Sequence, residues 1–270
     1  MKSIGKLVVL TTLFAVCAGC VRIDALIKLQ QSGAGKLFFR CLYSESLSKN
    51  EESLSPKADK LTTLSQELGE GVKFVKKSVI TTKGWKGFSV EYEFSDINKL
   101  RLPFGDLADV DSDDKQEEQR NSLMSLTDSG PWLFRYKPGR TNELVAFHEQ
   151  PAEEKVDDSD PFAEAGVELP DAPNVELGNV LAVGFLKPIL QESRLSVTLQ
   201  VDGDITETNA PAQLRENSVQ LFDADMKKFV ESEQFEAAIL GKWSMERMLR
   251  EKVDGIHGLP NDKEISVKFR

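Results

Sequence analysis

Histidine, cysteine and long apolar runs are scarce in this chain, and each scarcity removes a class of function. Its 270 residues include two histidines, His148 and His257, far apart in sequence. A zinc site or a histidine-based triad needs such side chains to converge with acids or a nucleophile. No HExxH or G-x-S-x-G motif does that locally, so no residue is assigned as catalytic or metal-binding. Cysteines number three, at 17, 20 and 41. A membrane-spanning helix takes roughly 20 apolar residues, whereas Leu7 to Val16 offers ten and includes Thr11 and Thr12. Cations are in deficit: 34 Lys and Arg against 44 Asp and Glu give a formal charge of -10. That argues against nucleic acid, whose binding depends on cations that neutralise phosphates.

What is present begins with an address. Met1 to Lys6 carries two lysines and no acid, the apolar run follows, and Cys17-Ala18-Gly19-Cys20 closes the segment. A basic start, a short apolar core and small residues before a cleavage point describe a secretory signal peptide over residues 1–19. Ala18-Gly19-Cys20 resembles the lipobox of bacterial lipoproteins, with Cys17 where leucine is usual. The resemblance implies that Cys20 is thioether-linked to diacylglycerol, becomes the first residue and is N-acylated, for instance with palmitate. The alternative is ordinary secretion with Cys20 a free thiol. Val21 rather than aspartate after Cys20 is similar to signals that sort lipoproteins to the periplasmic face of the outer membrane in a two-membrane bacterium. Cleavage would leave 251 residues, enough for a real core, and loss of Lys2 and Lys6 would take the formal charge from -10 to -12. Cys41 would then be the one unmodified cysteine, which excludes an intramolecular disulfide. It shares a strand face with Leu37, Phe39 and Tyr43, the setting of a buried small hydrophobe.

Past Cys20 the chain alternates with period two: Val21, Ile23, Ala25, Ile27 and Leu29 face one way, Arg22, Asp24 and Lys28 the other. This predicts a half-buried strand, then a turn at Ser32-Gly33-Ala34-Gly35 and a second strand to Ser44. Gly33 to Lys36 lacks the spacing of a phosphate loop. Ser55-Pro56 predicts a helix start, Ala58, Leu61, Leu64 and Leu68 its apolar stripe, and Gly69 its stop. Strands are expected over 72–80, 88–94, 132–136 and 143–149, then over 194–201, 205–208, 218–222 and 264–269. Helices are expected over 225–240 and 244–253. His257 falls in the turn Gly255 to Gly258.

Two stretches are too acidic and too poor in apolar residues to offset the entropy of ordering. Asp106 to Glu118 holds seven acids against Lys115, and 149–176 holds ten against Lys155, with four prolines. The first reads as a solvated loop leading to a short helix over 121–126. Its Asp109, Asp111 and Asp113 imitate the start of a calcium loop, but Asp114 and Arg120 stand where glycine and glutamate are needed. The second reads as an acidic, disordered insertion. The pattern gives an α+β fold: a mainly antiparallel, twisted sheet packed by several helices. Residues 20–148 form its N-terminal part, 149–176 the insertion and 177–270 the C-terminal part of the same domain.

The run from Arg194 to Ala210, RLSVTLQVDGDITETNA, and the run from Asn217 to Met226, NSVQLFDADM, are similar to a loose set of bacterial envelope lipoproteins that includes LppM-like ones. The matching pieces are strands and a glycine turn. They imply an α+β lipoprotein domain associated with lipids or glycolipids, and they bring no catalytic residue and no cofactor.

Two places suit a lipid surface. Lys73, Lys76, Lys77, Lys83 and Lys86 surround Trp85 without an acid between 73 and 86, a composition that fits headgroup contact; its alternative is a solvated strand pair. Leu177 to Leu190 is strongly apolar up to Pro188, and Leu181 and Phe185 could line a lipid site or belong to a core helix. The reading that follows is a non-enzymatic, lipid-anchored envelope protein that binds a lipid-like ligand or a partner. One alternative is a structural module that recruits a basic partner through 149–176; another is an envelope hydrolase.

Overall fold

The computed structural model describes residues 21–45, 56–102, 131–149, 187, 190–239, 245–258 and 263–270. In chain order these form β1 (Val21–Leu29), β2 (Gly35–Ser44), α1 (Ala58–Glu67), β3 (Lys73–Thr82), β4 (Trp85–Phe94), β5 (Arg101–Leu102), β6 (Trp132–Lys137) and β7 (Asn142–His148). Then come β8 (Arg194–Val201), β9 (Ile205–Thr208), β10 (Ala212–Arg215), β11 (Ser218–Asp225), α2 (Met226–Glu231), α3 (Phe235–Ile239), α4 (Met245–Glu251), β12 (Ile256–His257) and β13 (Ile265–Phe269). Cys20, Leu181, Phe185, the 106–118 run, the helix expected over 121–126 and 149–176 beyond Glu149 lie outside the described residues.

The larger sheet has the order β10-β11-β8-β1-β2-β4-β3, with β12 also paired to β11; the smaller runs β5-β6-β7-β13-β9. The fold is α+β and mainly antiparallel, as the alternation predicts. The exception is central. β1 pairs with β8 in parallel, from Arg22 opposite Arg194 to Leu29 opposite Val201. In the smaller sheet β13, near the chain's last residue, pairs with β7.

Alternation dictates the burial. Ala25, Ile27 and Leu29 of β1, Leu37, Phe39 and Cys41 of β2, and Phe88, Val90, Tyr92 and Phe94 of β4 are all buried on one face. They join one hydrophobic core with Phe134, Leu144, Val267 and Phe269 of the smaller sheet. Leu61 and Leu68 bring α1 onto this core, and the Tyr92 hydroxyl donates to the Leu61 carbonyl at 3.4 Å. α1 begins later than expected: Lys57 occupies the N-cap without a side-chain cap, and Ala58 is exposed rather than part of the stripe. The helix expected over 225–240 is divided, because Ser232 is extended (ψ 152°) and ends α2. Asp225 caps α2 by accepting from the Lys227 N–H. β10 was not expected, and β12 replaces the turn expected at His257.

Gly203 separates the sheets: β8 before it belongs to the larger, β9 after it to the smaller. Its φ of +137° suits glycine, and a Cβ there would lie 2.5 Å from the Arg270 carbonyl oxygen. Asp204 and Arg270 exchange backbone hydrogen bonds of 2.9 and 3.1 Å. Nearby, the Tyr136 hydroxyl donates to the Gln31 carbonyl at 2.6 Å, and the Ile97 N–H donates to the Gly33 carbonyl at 2.9 Å. The smaller sheet thus seals the end of the larger one where β1 turns into β2.

Candidate functional site

At the opposite end β8 and β11 are covered by α2, whose Met226 N–H donates to the Ser193 carbonyl, while the ends of β1, β2 and β4 form an open edge among the described residues. Along β1 burial falls from Leu29, 1% exposed, to a half-buried Val21; along β4 it falls from Phe94, 3% exposed, to a half-buried Trp85. Register defines the rows. Val21 stands opposite Tyr43 and Tyr43 opposite Lys86, while Ser44 stands opposite Trp85. Strands about 4.8 Å apart put Val21 and Lys86 within roughly 10 Å of each other. The β3–β4 turn at Lys83 and Gly84 is exposed, and Glu45 joins it by donating its N–H to the Gly84 carbonyl. Trp85 lies on the face turned away from the core. The Arg22 guanidinium sits 4.1 Å from its ring centroid, a cation–π pair flanking the buried Leu42.

The five lysines around Trp85 do not form one surface. Val75 is a bulge, because Phe74 pairs with Tyr92 and Lys76 already with Glu91. Lys73 and Lys76 therefore share the outer face with Glu93 and Glu91. Lys76 pairs with Glu91 at 3.3 Å. Lys77 lies on the core-side face opposite Val90, and its ammonium donates to the Pro56 carbonyl at 2.8 Å. Lys86 shares the core-side row of Val21 and Tyr43, and Lys83 occupies the turn. Only Lys83, Trp85 and Lys86 of the six residues belong to the open end. Lys73, Lys76 and Lys77 do not.

The outer face of the larger sheet is a ladder of paired charges. Lys36 meets Glu91 at 2.8 Å and Glu93 at 3.2 Å. These contacts hold the Glu91 carboxyl below its ordinary range, chiefly through the Lys36 hydrogen bond, and raise Lys36. Arg40 donates to Asp24 at 2.6 and 2.9 Å, and the Ser196 hydroxyl donates to the other Asp24 oxygen at 2.6 Å. Arg194 grips the buried Asp223 with two bonds, 2.8 and 3.2 Å, and that pairing raises the Arg194 pKa.

One row of this face assembles residues far apart in sequence: His257, Asp223, Ser196, Asp24 and Arg40 on five neighbouring strands. The order sets Asp223 between His257 and Ser196, Arg194 occupies Asp223, and the Ser196 proton is directed at Asp24. A serine nucleophile needs its base in hydrogen-bond contact, and the base here is a carboxylate already paired with Arg40. His148 is remote from this row. It is buried in the smaller sheet with its ring 4.2 Å from that of Trp132. Burial pushes the Cys41 thiol up to about 11, so it stays protonated and inert at neutral pH. Among the described residues no group of three or more His, Cys, Asp or Glu side chains could hold a metal ion, and no helix is long and apolar enough to cross a membrane.

No family model matches the chain, and no curated protein matches it. Among solved structures, the NMR structure of the folded domain of the Mycobacterium tuberculosis LppM protein is similar at 13% identity. The match covers 94% of this chain and 91% of that chain at a TM-score of 0.35. A likeness that low does not establish a shared fold.

Proposed function

We propose that this chain is a lipid-anchored protein of the bacterial cell envelope, held by Cys20, that works at the membrane surface by binding a lipid-like ligand or a partner rather than by catalysis. One observation carries the reading: Val21, the residue bonded to Cys20, is already paired in β1 at the open end of the larger sheet. Adjacent Cα atoms are about 3.8 Å apart, so an acyl group on Cys20 leaves no room for a flexible tether. The open end then abuts the bilayer, and the end sealed by the smaller sheet points away. The non-catalytic part of the reading is supported by the outer-face row, where Ser196 and Asp223 are each committed to a structural partner.

Feeding cells an alkyne fatty acid tests the anchor. The full chain should acquire the label and Cys20→Ser should not. A parent chain that stays unlabelled while it is exported would overturn the reading.

A further inference from the structure

We infer that the outer edge of β3 is a docking site for an extended acidic segment of a partner protein, which adds to the larger sheet as one more strand. The inference rests on the partner-binding side of the proposed function and gives that partner a chemistry. It does not need the anchor, because β3 lies along the side of the sheet. β3 is the last strand of the sheet order, ten residues long, and bonds to β4 on one side. Among the described residues no backbone group pairs with its other side. The far edge strand, β10, offers only four residues. A row of unpaired backbone donors and acceptors is a template for a further strand: the main chain supplies affinity and alternate side chains supply selectivity. Exposure marks the same edge. The exposed large hydrophobics among the described residues are Val75 (43%), Val79 (77%) and Leu214. All three lie on the two edge strands, two of them on β3, where an added strand would cover them.

Charge chooses the occupant. Residues 73–86 contain no acid. Lys76 is taken by Glu91 and Lys77 by the Pro56 carbonyl. Lys73 and Lys83, at the two ends of the edge, are exposed and have no partner among the described residues. A second copy is the wrong occupant, because an antiparallel β3–β3 pair sets this lysine-rich strand against itself and like charges across strands repel. Lysines and a bulge such as that at Val75 are how edge strands resist pairing with their own kind. An acidic strand meets attraction instead. Lys73 shares the outer face with Glu93, while Val79 stands on the core-side face opposite Phe88. The matching segment therefore alternates, with acids on the outer face and apolar residues beside Val79.

The test uses the full chain in nonionic detergent and a synthetic peptide of alternating aspartate and valine as long as β3, with alternating lysine and valine as its control. Outward amides of an edge strand exchange quickly until they are paired. The acidic peptide should slow exchange within residues 73–82 and leave 212–215 of β10 unchanged; the basic peptide should do neither. Lys73→Glu combined with Lys83→Glu should weaken the acidic peptide about tenfold, with an unchanged urea midpoint to show that the fold survives. No slowing at 73–82, or equal slowing by both peptides, overturns the inference. Slowing that appears without peptide as the chain is concentrated assigns the edge to a second copy. Carbodiimide cross-links from Lys73 or Lys83 to residues 106–118 of the same chain assign it to that run, and either result overturns the partner. The same measurement on Cys20→Ser keeps the two readings apart, since loss of the anchor leaves the edge unchanged.

Discussion

At one end of β1, Leu29 is 1% exposed and the chain turns through Gly33 against the Tyr136 ring; at the other, Val21 is half-buried and its row ends in Tyr43 and Lys86. The same strands are finished in two ways. The sealed end is tied by the Asp204–Arg270 backbone pair, by the Ile97 N–H on the Gly33 carbonyl and by the Tyr136 hydroxyl on Gln31. The open edge has an exposed turn, held to the end of β2 by the Glu45 N–H on the Gly84 carbonyl, and a tryptophan stacked on an arginine. The smaller sheet docks at one end and α2 to α4 pack near the start of β8 at the other, which leaves the edge formed by Val21, Ser44 and Trp85 the least covered part of the larger sheet among the described residues.

Glycine substitutions should show the largest difference between the sealed end and the exposed β3–β4 turn. A Cβ at Gly35 would lie 2.1 Å from the Lys28 carbonyl oxygen and 2.6 Å from the Phe94 ring, so Gly35→Ala must push strands apart. We expect a loss on the order of 3 kcal/mol or more in urea unfolding. Gly84→Ala meets nothing within 4 Å and is strained only by its φ of +80°, a cost of about 1 kcal/mol. Equal losses would break the comparison.

Side-chain truncation should follow burial in the same order. Phe94→Ala removes a buried ring at the sealed end and should cost about 3–5 kcal/mol. Val79→Ala, near the open end and 77% exposed, should change stability by less than about 0.5 kcal/mol. Tyr136→Phe deletes the hydroxyl bond to Gln31 at 2.6 Å and should cost about 1 kcal/mol in the same assay.

The smallest effect concerns acid. Lys36 and Lys76 depress the Glu91 carboxyl below its usual 4.5. Its contribution is complete above that value and is lost as pH falls through the lower folded value. Glu91→Gln should therefore flatten the fall in stability on the acid side and leave the shape of the curve above neutrality unchanged. A variant with an unaltered acid limb would show that the Lys36–Glu91–Lys76 cluster is not coupled to folding.

The strand pattern of the larger sheet is legible in the sequence, whereas the second sheet and the end it covers are not. Val21 to Ser44 alternates so cleanly that both strands and their buried faces follow from period two, and Gly69 and Gly33 mark the turns they occupy. What was missed depends on pairing. The lysines at 73, 76 and 77 read as one patch because the Val75 bulge, which sets Lys73 and Lys76 on one face, exists only in relation to β4. The parallel β1–β8 pair and the switch of sheets at Gly203 join segments that no local pattern connects. β10 and β12 are too short, at four and two residues, to announce themselves. The row of His257, Asp223, Ser196 and Asp24 was invisible for the same reason, since its members come from four distant strands. Trp85 stands out in the sequence through its lysine neighbours; its partner Arg22, on β1, carries no local signal.

Amide hydrogen exchange on the lipid-anchored protein, compared between phosphatidylglycerol-containing vesicles and nonionic detergent micelles, tests the orientation most directly. The account predicts that Lys83 to Lys86 exchange more slowly on vesicles while residues 31–34, at the sealed end, are unchanged. Slowing at 31–34 instead, or at neither end, would contradict it.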